Sequence, residues 1–447
     1  MAIEENLLKA GDVRVEEVTI TNVVTGISVD LSNFMIEINL FEDIFAPCMT
    51  GTMLIADAMN LISDLPILGT ELITIKIRTP TLEDHPSNII EKTFQLYGIE
   101  NRSLNNDRQQ VYILCFISRE GYLDRASTIS KTYRGSTDEI VSKIYTEYLT
   151  TERRFDVPQN YTNLKILDTP HFSKVTYVSN NWSPFKNFNF LSKRVKGNTL
   201  MGADYIFFES NKSFYFSSIE ALIASSFSQG MFEEYVYELE ENTIPRRKSG
   251  RFTGNIFPPA MTRIETIIMP KTLDLLDGLD SGYFANSIYG YNLITKEFSV
   301  RTYDIQQNFN KFVKTDTNIP VPSSAFRNPY ANTQIVSYNS QLHDDYGLTK
   351  ETYGERSVFR RSYLNSFNQY KFEINIPGRT DIEVGKLINI LYPAGKVKVE
   401  GETGVDNIFD SYLSGPYLIS AIRHKFDRQR HTMQCEVIKN GLGKSLG

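Results

Sequence analysis

Residues 39–51 read NLFEDIFAPCMTG and set two carboxyl side chains, Glu42 and Asp43, beside a Phe-Ala-Pro-Cys break. Paired acids hydrolyse glycosidic bonds when two carboxyls face each other across a cleft, about 5 to 10 Å apart, with one pKa raised. Adjacent strand residues point to opposite faces, so this pair does not converge unless the chain bends, and a strand-end or ion-pair role is expected. Other candidates for chemistry are sparse. His85, His171, His343, His424 and His431 show no HExxH spacing, and Cys48, Cys115 and Cys435 offer no zinc-ligand pair and no disulfide framework. HDDYG at 343–347 and GETGVDNIFD at 401–410 carry acids without calcium-loop spacing. No phosphate-binding glycine loop, dinucleotide fingerprint or nucleophile elbow occurs, so no catalytic residue, cofactor or metal is expected.

The 447 residues are 41% hydrophobic and 22% charged with a net charge of -6, an ordinary globular balance. Tight nucleic-acid binding calls for a basic stripe, and the sole basic cluster is Arg246, Arg247 and Lys248 in a turn context. The acidic start MAIEENLLKAGDV lacks signal-peptide character, and no apolar run reaches membrane-spanning length; synthesis in the cytoplasm and no membrane anchor are expected. Aromatic residues make up 12%, with 28 Phe and 25 Tyr, which suits sheet cores and protein interfaces.

The elements that must position these residues are strands. Phe34, Ile36, Ile38 and Leu40 alternate with Met35, Glu37, Asn39 and Phe41; Ile73, Ile75 and Ile77, then Val111, Ile113, Cys115 and Ile117, repeat the period of two. In GSTDEIVSKIYTEYL the period lengthens, with Ser136 and Glu139 forming a capping box and Ile140, Ile144 and Tyr148 on one face. Ser183 and Pro184 predict a second helix start, and DYIFFESNKSFYFSS predicts a hairpin turning at Asn211-Lys212. Residues 311–349 lack periodicity and are expected as a loop-rich insert, followed by a helix over 355–370 and a final hairpin across 427–430. IFAPCMT at 44–50 matches IFPPAMT at 256–262 in five of seven positions, but roughly one such match arises by chance in a chain this long.

The run LSNFMIEINLFEDIFAPCMTGTMLIADAMNLISDLPILGTELITIKI resembles the first barrel of baseplate central hub proteins of contractile-tailed bacteriophages, a family shared with the N-terminal regions of type VI secretion spikes. REGYLDRASTISKTYRGSTDEIVSKIYTEYL is similar to the start of the hub's second region, and NSFNQYKFEINIPGRTDIEVGKLINILYP with GPYLISAIRHKF to its returning barrel, in the same order. The resemblance implies a mainly β fold with α+β insertions: two tail-tube-like antiparallel β-barrel domains plus a mixed α+β domain. The boundaries expected are 12–117 for the first barrel, 118–225 for the α+β domain, 226–310 and 350–440 for the second barrel, and 311–349 for the insert.

It also implies a non-enzymatic virion protein of the tail baseplate. Three chains would form a pseudo-sixfold ring, a homotrimer joining the hexameric tail tube protein to the trimeric central spike protein, beside other baseplate components. DNA would pass through transiently without specific binding. The alternatives are the hub of a phage-derived protein-injection system or a tail-associated cell-wall hydrolase, the latter needing paired acids in 119–225 or 311–349. On this reading the break is an inter-subunit or inter-ring surface made by Glu42, Asp43, Phe45, Pro47, Met49, Leu65, Pro66 and Ile67, with the two acids on its rim. An intramolecular barrel corner is the alternative role for the same residues.

Overall fold

The chain was analysed as a computed structural model, which describes residues 10–64, 67–82, 88–106, 109–150, 163–170, 175–200, 202–230, 233–237, 259–272, 274–293, 296–319, 323–324, 327–338, 352–394 and 409–443. Strands come first, as β1 (Arg14–Thr21), β2 (Ser28–Asp30), β3 (Met35–Asp43), β4 (Thr50–Asp57), β5 (Leu72–Arg78), β6 (Ile89–Asn106) and β7 (Gln109–Ser118). A middle region carries β8 (Thr132–Gly135), β9 (Asn163–Lys165), β10 (Val175–Val178), β11 (Tyr205–Glu209) and β12 (Ser213–Ser218) among helices. The rest holds β13 (Glu234–Tyr237), β14 (Arg263–Ile264), β15 (Thr266–Thr272), β16 (Ala285–Asn292), β17 (Phe298–Asp304), β18 (Thr333–Tyr338), β19 (Tyr370–Pro377), β20 (Leu387–Leu391), β21 (Gly415–Phe426) and β22 (His431–Lys439).

Two groups of six strands repeat one topology. The first runs β3-β4-β7-β6-β5-β1 and the second β15-β19-β22-β21-β20-β13. If each set is lettered a to f in chain order, both read b-c-f-e-d-a. Neighbours are antiparallel throughout, except that β13 lies parallel to β20. Even an irregularity recurs. Leu96 of β6 and Ile419 of β21 each donate their N–H across 2.9 Å to the residue before strand d, Glu71 and Lys386. One extra residue then follows in each, Tyr97 and Ser420, as a bulge against strand f. Beyond its bulge β21 leaves β20 and pairs with β3, joining both groups into one large sheet. Among the described residues the pairings close neither group into a ring. The mainly β class with α+β insertions is as the resemblance implies.

The heptapeptides 44–50 and 256–262 do not mark this repeat. The first links strands b and c, whereas Met261 and Thr262 precede strand b of the second group. Their likeness is a coincidence of composition. The alternation in β3 is also displaced: a bulge between Met35 and Glu37 turns Met35, Ile38 and Leu40 inward and leaves Ile36 exposed. Helices Thr137–Ile144 and Pro184–Ser192 start after Ser136 and Ser183, although neither hydroxyl makes a capping bond. The β11–β12 hairpin and the β21–β22 hairpin fall where the sequence predicts them. Within 311–349, expected as loop, Thr333–Tyr338 forms β18, because a parallel ladder to β16 satisfies its backbone from more than 40 residues away.

Three hydrophobic cores result. One fills the first sheet group, one fills the second together with helix Thr352–Ser366, and one lies in the middle region. Packing is tight where β4 pairs with β7: a Cβ on Gly51 would come within 2.2 Å of the ring of Phe116, its partner across the ladder. Gly51→Ala is expected to cost about 1–3 kcal/mol in urea denaturation; an unchanged midpoint would contradict this packing.

Candidate assembly site at the junction of the cores

The segment between β3 and β4 sends successive side chains into different cores. Ile44 is buried in the core of the second sheet group, Met49 in that of the first, and Cys48 packs against the middle core. The Phe-Ala-Pro-Cys break makes this possible. Asp43 caps it by accepting the Phe45 N–H at 2.8 Å, and Pro47 needs no backbone acceptor.

Buried polar groups tie the same segment down. Glu42 accepts from His424 Nε2 at 3.1 Å, and from the Val384 N–H at 3.4 Å; His424 Nδ1 lies 3.1 Å from His431 Nε2. All three side chains are inaccessible to solvent. The donor sequence that strands no N–H runs His431 Nε2–H to His424 Nδ1 and His424 Nε2–H to Glu42, leaving His431 Nδ1 as an unprotonated acceptor. Burial and the adjacent His424 hold His431 well below the usual imidazole range, so it is neutral. An acid–His–His chain resembles a proton relay, yet its far end, the His431 ring, stacks on the Phe426 ring with centroids 4.1 Å apart. On the other side of the segment, Glu209 accepts from the Met49 N–H at 2.7 Å and from Lys92 Nζ at 2.5 Å, and Lys92 also donates to Ser210 O at 3.1 Å. These bonds fasten β6 to the β11–β12 hairpin.

Several placements differ from the rim of charges expected. Glu42 and Met49 are interior: Glu42 lies on β3, which is bonded on both edges, and points to its covered side, and Met49 enters the first core while its N–H binds Glu209. Asp43 is half-buried, and burial raises its pKa. Phe45 remains 55% exposed and, with Pro47, borders a groove of about 370 Å³ walled by Phe185, Ile206 and Phe207. Ile67 packs at the margin of the first core, and Leu65 and Pro66 lie outside the described residues. Sequence spacing does not point to His424, Lys92 or Glu209 as site residues, because their partners lie 382 and 117 positions away and leave no local pattern; His431 joins them only through His424.

A second acid pair occupies the middle region. Asp204 Oδ2 accepts the Glu220 N–H at 3.0 Å, and Glu220 Oε1 accepts the Val313 N–H at 2.7 Å. Burial raises Asp204 to about 6 and Glu220 to about 8. Both are fully enclosed, so no saccharide reaches them, and the pair does not supply the cleft that a cell-wall hydrolase requires. Among the described residues no three His, Cys, Asp or Glu side chains are grouped to hold a metal ion, and no helix is long and apolar enough to cross a membrane.

Two outcomes follow. Glu42→Ala strands the His424 and Val384 donors and is expected to cost about 2–4 kcal/mol in urea denaturation; wild-type stability would contradict the junction. Asp204 and Glu220 are harder to ionise folded than at their ordinary values of 3.8 and 4.5. The folded state therefore holds extra protons in that window, and stability falls as pH rises from about 4 to about 8. Glu220→Gln keeps the Val313 acceptor and removes the ionisation, so it is expected to raise Tm at pH 8 by roughly 2–6 °C and little at pH 4. Equal effects at both pH values would contradict this.

No protein-family model and no curated protein sequence matches the chain. Solved structures do. A tail protein from Neisseria meningitidis MC58 aligns over 96% of this chain and 97% of its own at 9% identity, with a TM-score of 0.52. The 43 kDa tail protein of prophage MuSo2 from Shewanella oneidensis aligns over 95% and 98% at 8% identity, with a TM-score of 0.51. Since both alignments run nearly end to end, the likeness covers both sheet groups and the middle region together: the chain has the fold of phage-type tail proteins.

Proposed function

We propose that this chain is a structural component of a phage-type tail baseplate. In this role it is a hub of three copies whose six sheet groups form a pseudo-sixfold ring between a hexameric tail tube and a trimeric central spike, with a passage for DNA. The observation that carries the reading is the b-c-f-e-d-a order found twice in one chain, joined edge to edge by β21 and β3. Two similar units per chain let three chains present six similar faces, which reconciles threefold and sixfold neighbours in a closed ring. The likeness to tail proteins supports the setting, in the virion tail. Enclosure of Glu42, of Asp204 with Glu220, and of the histidine chain favours a mechanical over a hydrolytic role.

Light scattering at several concentrations, with and without a trimeric spike protein added, tests the reading. The expected mass is three times the 51.2 kDa chain, reached alone or on adding the spike. A single chain under every condition, or a closed dimer, would overturn it.

A further inference from the structure

Beyond its bulge at Ser420, β21 pairs antiparallel with β3, from Ala421 opposite Asp43 to Phe426 opposite Ile38. In the first sheet group the equivalent strand is β6. Beyond its bulge at Tyr97 it keeps β7 on one edge, and no described strand lies on the other. In the second group the strand equivalent to β3 is β15, which among the described residues pairs with β19 alone. Among the described residues there is thus one unfilled edge of each kind.

Resting on the three-copy reading above, we propose that β6 of one copy pairs antiparallel with β15 of the next copy, repeating the β21–β3 junction. Its register follows from the ladders. Phe116 and Val437 hold equivalent places opposite the two bulged strands, which makes Ser103 the counterpart of Lys425 and Ile268 the counterpart of Asn39. Because Asn39 faces Lys425, Ser103 faces Ile268 of the neighbour, and Leu104 faces Ile267.

An independent feature agrees with this register. Relative to β7, β6 holds one extra residue between Glu100 and Ser103, with Asn101 at a φ of 52°. Relative to β19, β15 holds one extra residue between Ile268 and Lys271. Neither β21 nor β3 has an irregularity at the corresponding step. In the proposed register the two extra residues oppose each other, so the alternation of faces stays in phase on either side. Pro270, which has no backbone donor, falls within this irregular step. The pairing would also cover apolar side chains that a lone chain leaves exposed: Tyr97 at 56%, Leu104 at 74% and Ile268 at 56%.

The test is the full-length double variant Ser103→Cys with Ile268→Cys, oxidised and run on a non-reducing gel beside each single variant. Directly opposed residues of an antiparallel pair are close enough for a disulfide. The double variant is expected to give a covalent ladder ending at three chains, with neither single variant doing so. Assembly to the mass of three chains without that ladder would overturn the pairing and leave the ring reading intact; a wild-type chain that never associates would overturn both. Ser103→Asp with Ile268→Asp sets like charges opposite each other on two exposed positions. It is expected to release single chains whose far-ultraviolet circular dichroism matches that of the wild type, and a retained three-chain mass would overturn the pairing.

Discussion

The fold depends on one short segment that cannot belong to a single core. Between β3 and β4 the chain places Ile44 in one hydrophobic core, Cys48 against a second and Met49 in a third, while Glu42 and the Met49 N–H bind partners from distant parts of the sequence. Each contact is ordinary in size. Their concentration within eight residues couples the three regions, because displacing the segment opens all three cores and unpairs buried polar groups whose isolation is costly.

A sheet continuing from one strand group into the next through β21 and β3 has backbone hydrogen bonds across its seam, and the enclosed Glu42–His424–His431 chain lies beneath that seam. Apart from the parallel pairing of β13, the largest difference between the two groups is an insertion. Between strands b and c the first group has only the short break, whereas the second carries β16, β17, β18 and helix Thr352–Ser366. The helix packs Val358, Phe359 and Tyr363 into the shared core. The repeated part is thus the sheet, and the elaborated part lies outside it.

Local patterns were legible and long-range ones were not. The period of two marks β3, β5 and β7 of the first group, and Ser183-Pro184 and Asn211-Lys212 mark a helix start and a hairpin turn, since each signal lies within a few adjacent residues. The burial of Glu42 was not legible, because it depends on His424 arriving from 382 positions away. The same limit hid the Lys92–Glu209 pair. A one-residue bulge put Ile36 on the opposite face from that implied by strict alternation. The internal repeat was unreadable for a different reason: it is conserved in strand order and bulge position, while the one matching heptapeptide lies at inequivalent places.

The central claim is that one polypeptide supplies two equivalent sectors of a ring. End-on electron micrographs of the purified assembly, analysed for rotational harmonics as a function of radius, address it most directly. The account predicts a dominant sixfold harmonic at the radius of the sheets, giving way to threefold farther out where only the second group carries its added elements. A threefold signal at every radius, or no ring, would contradict it.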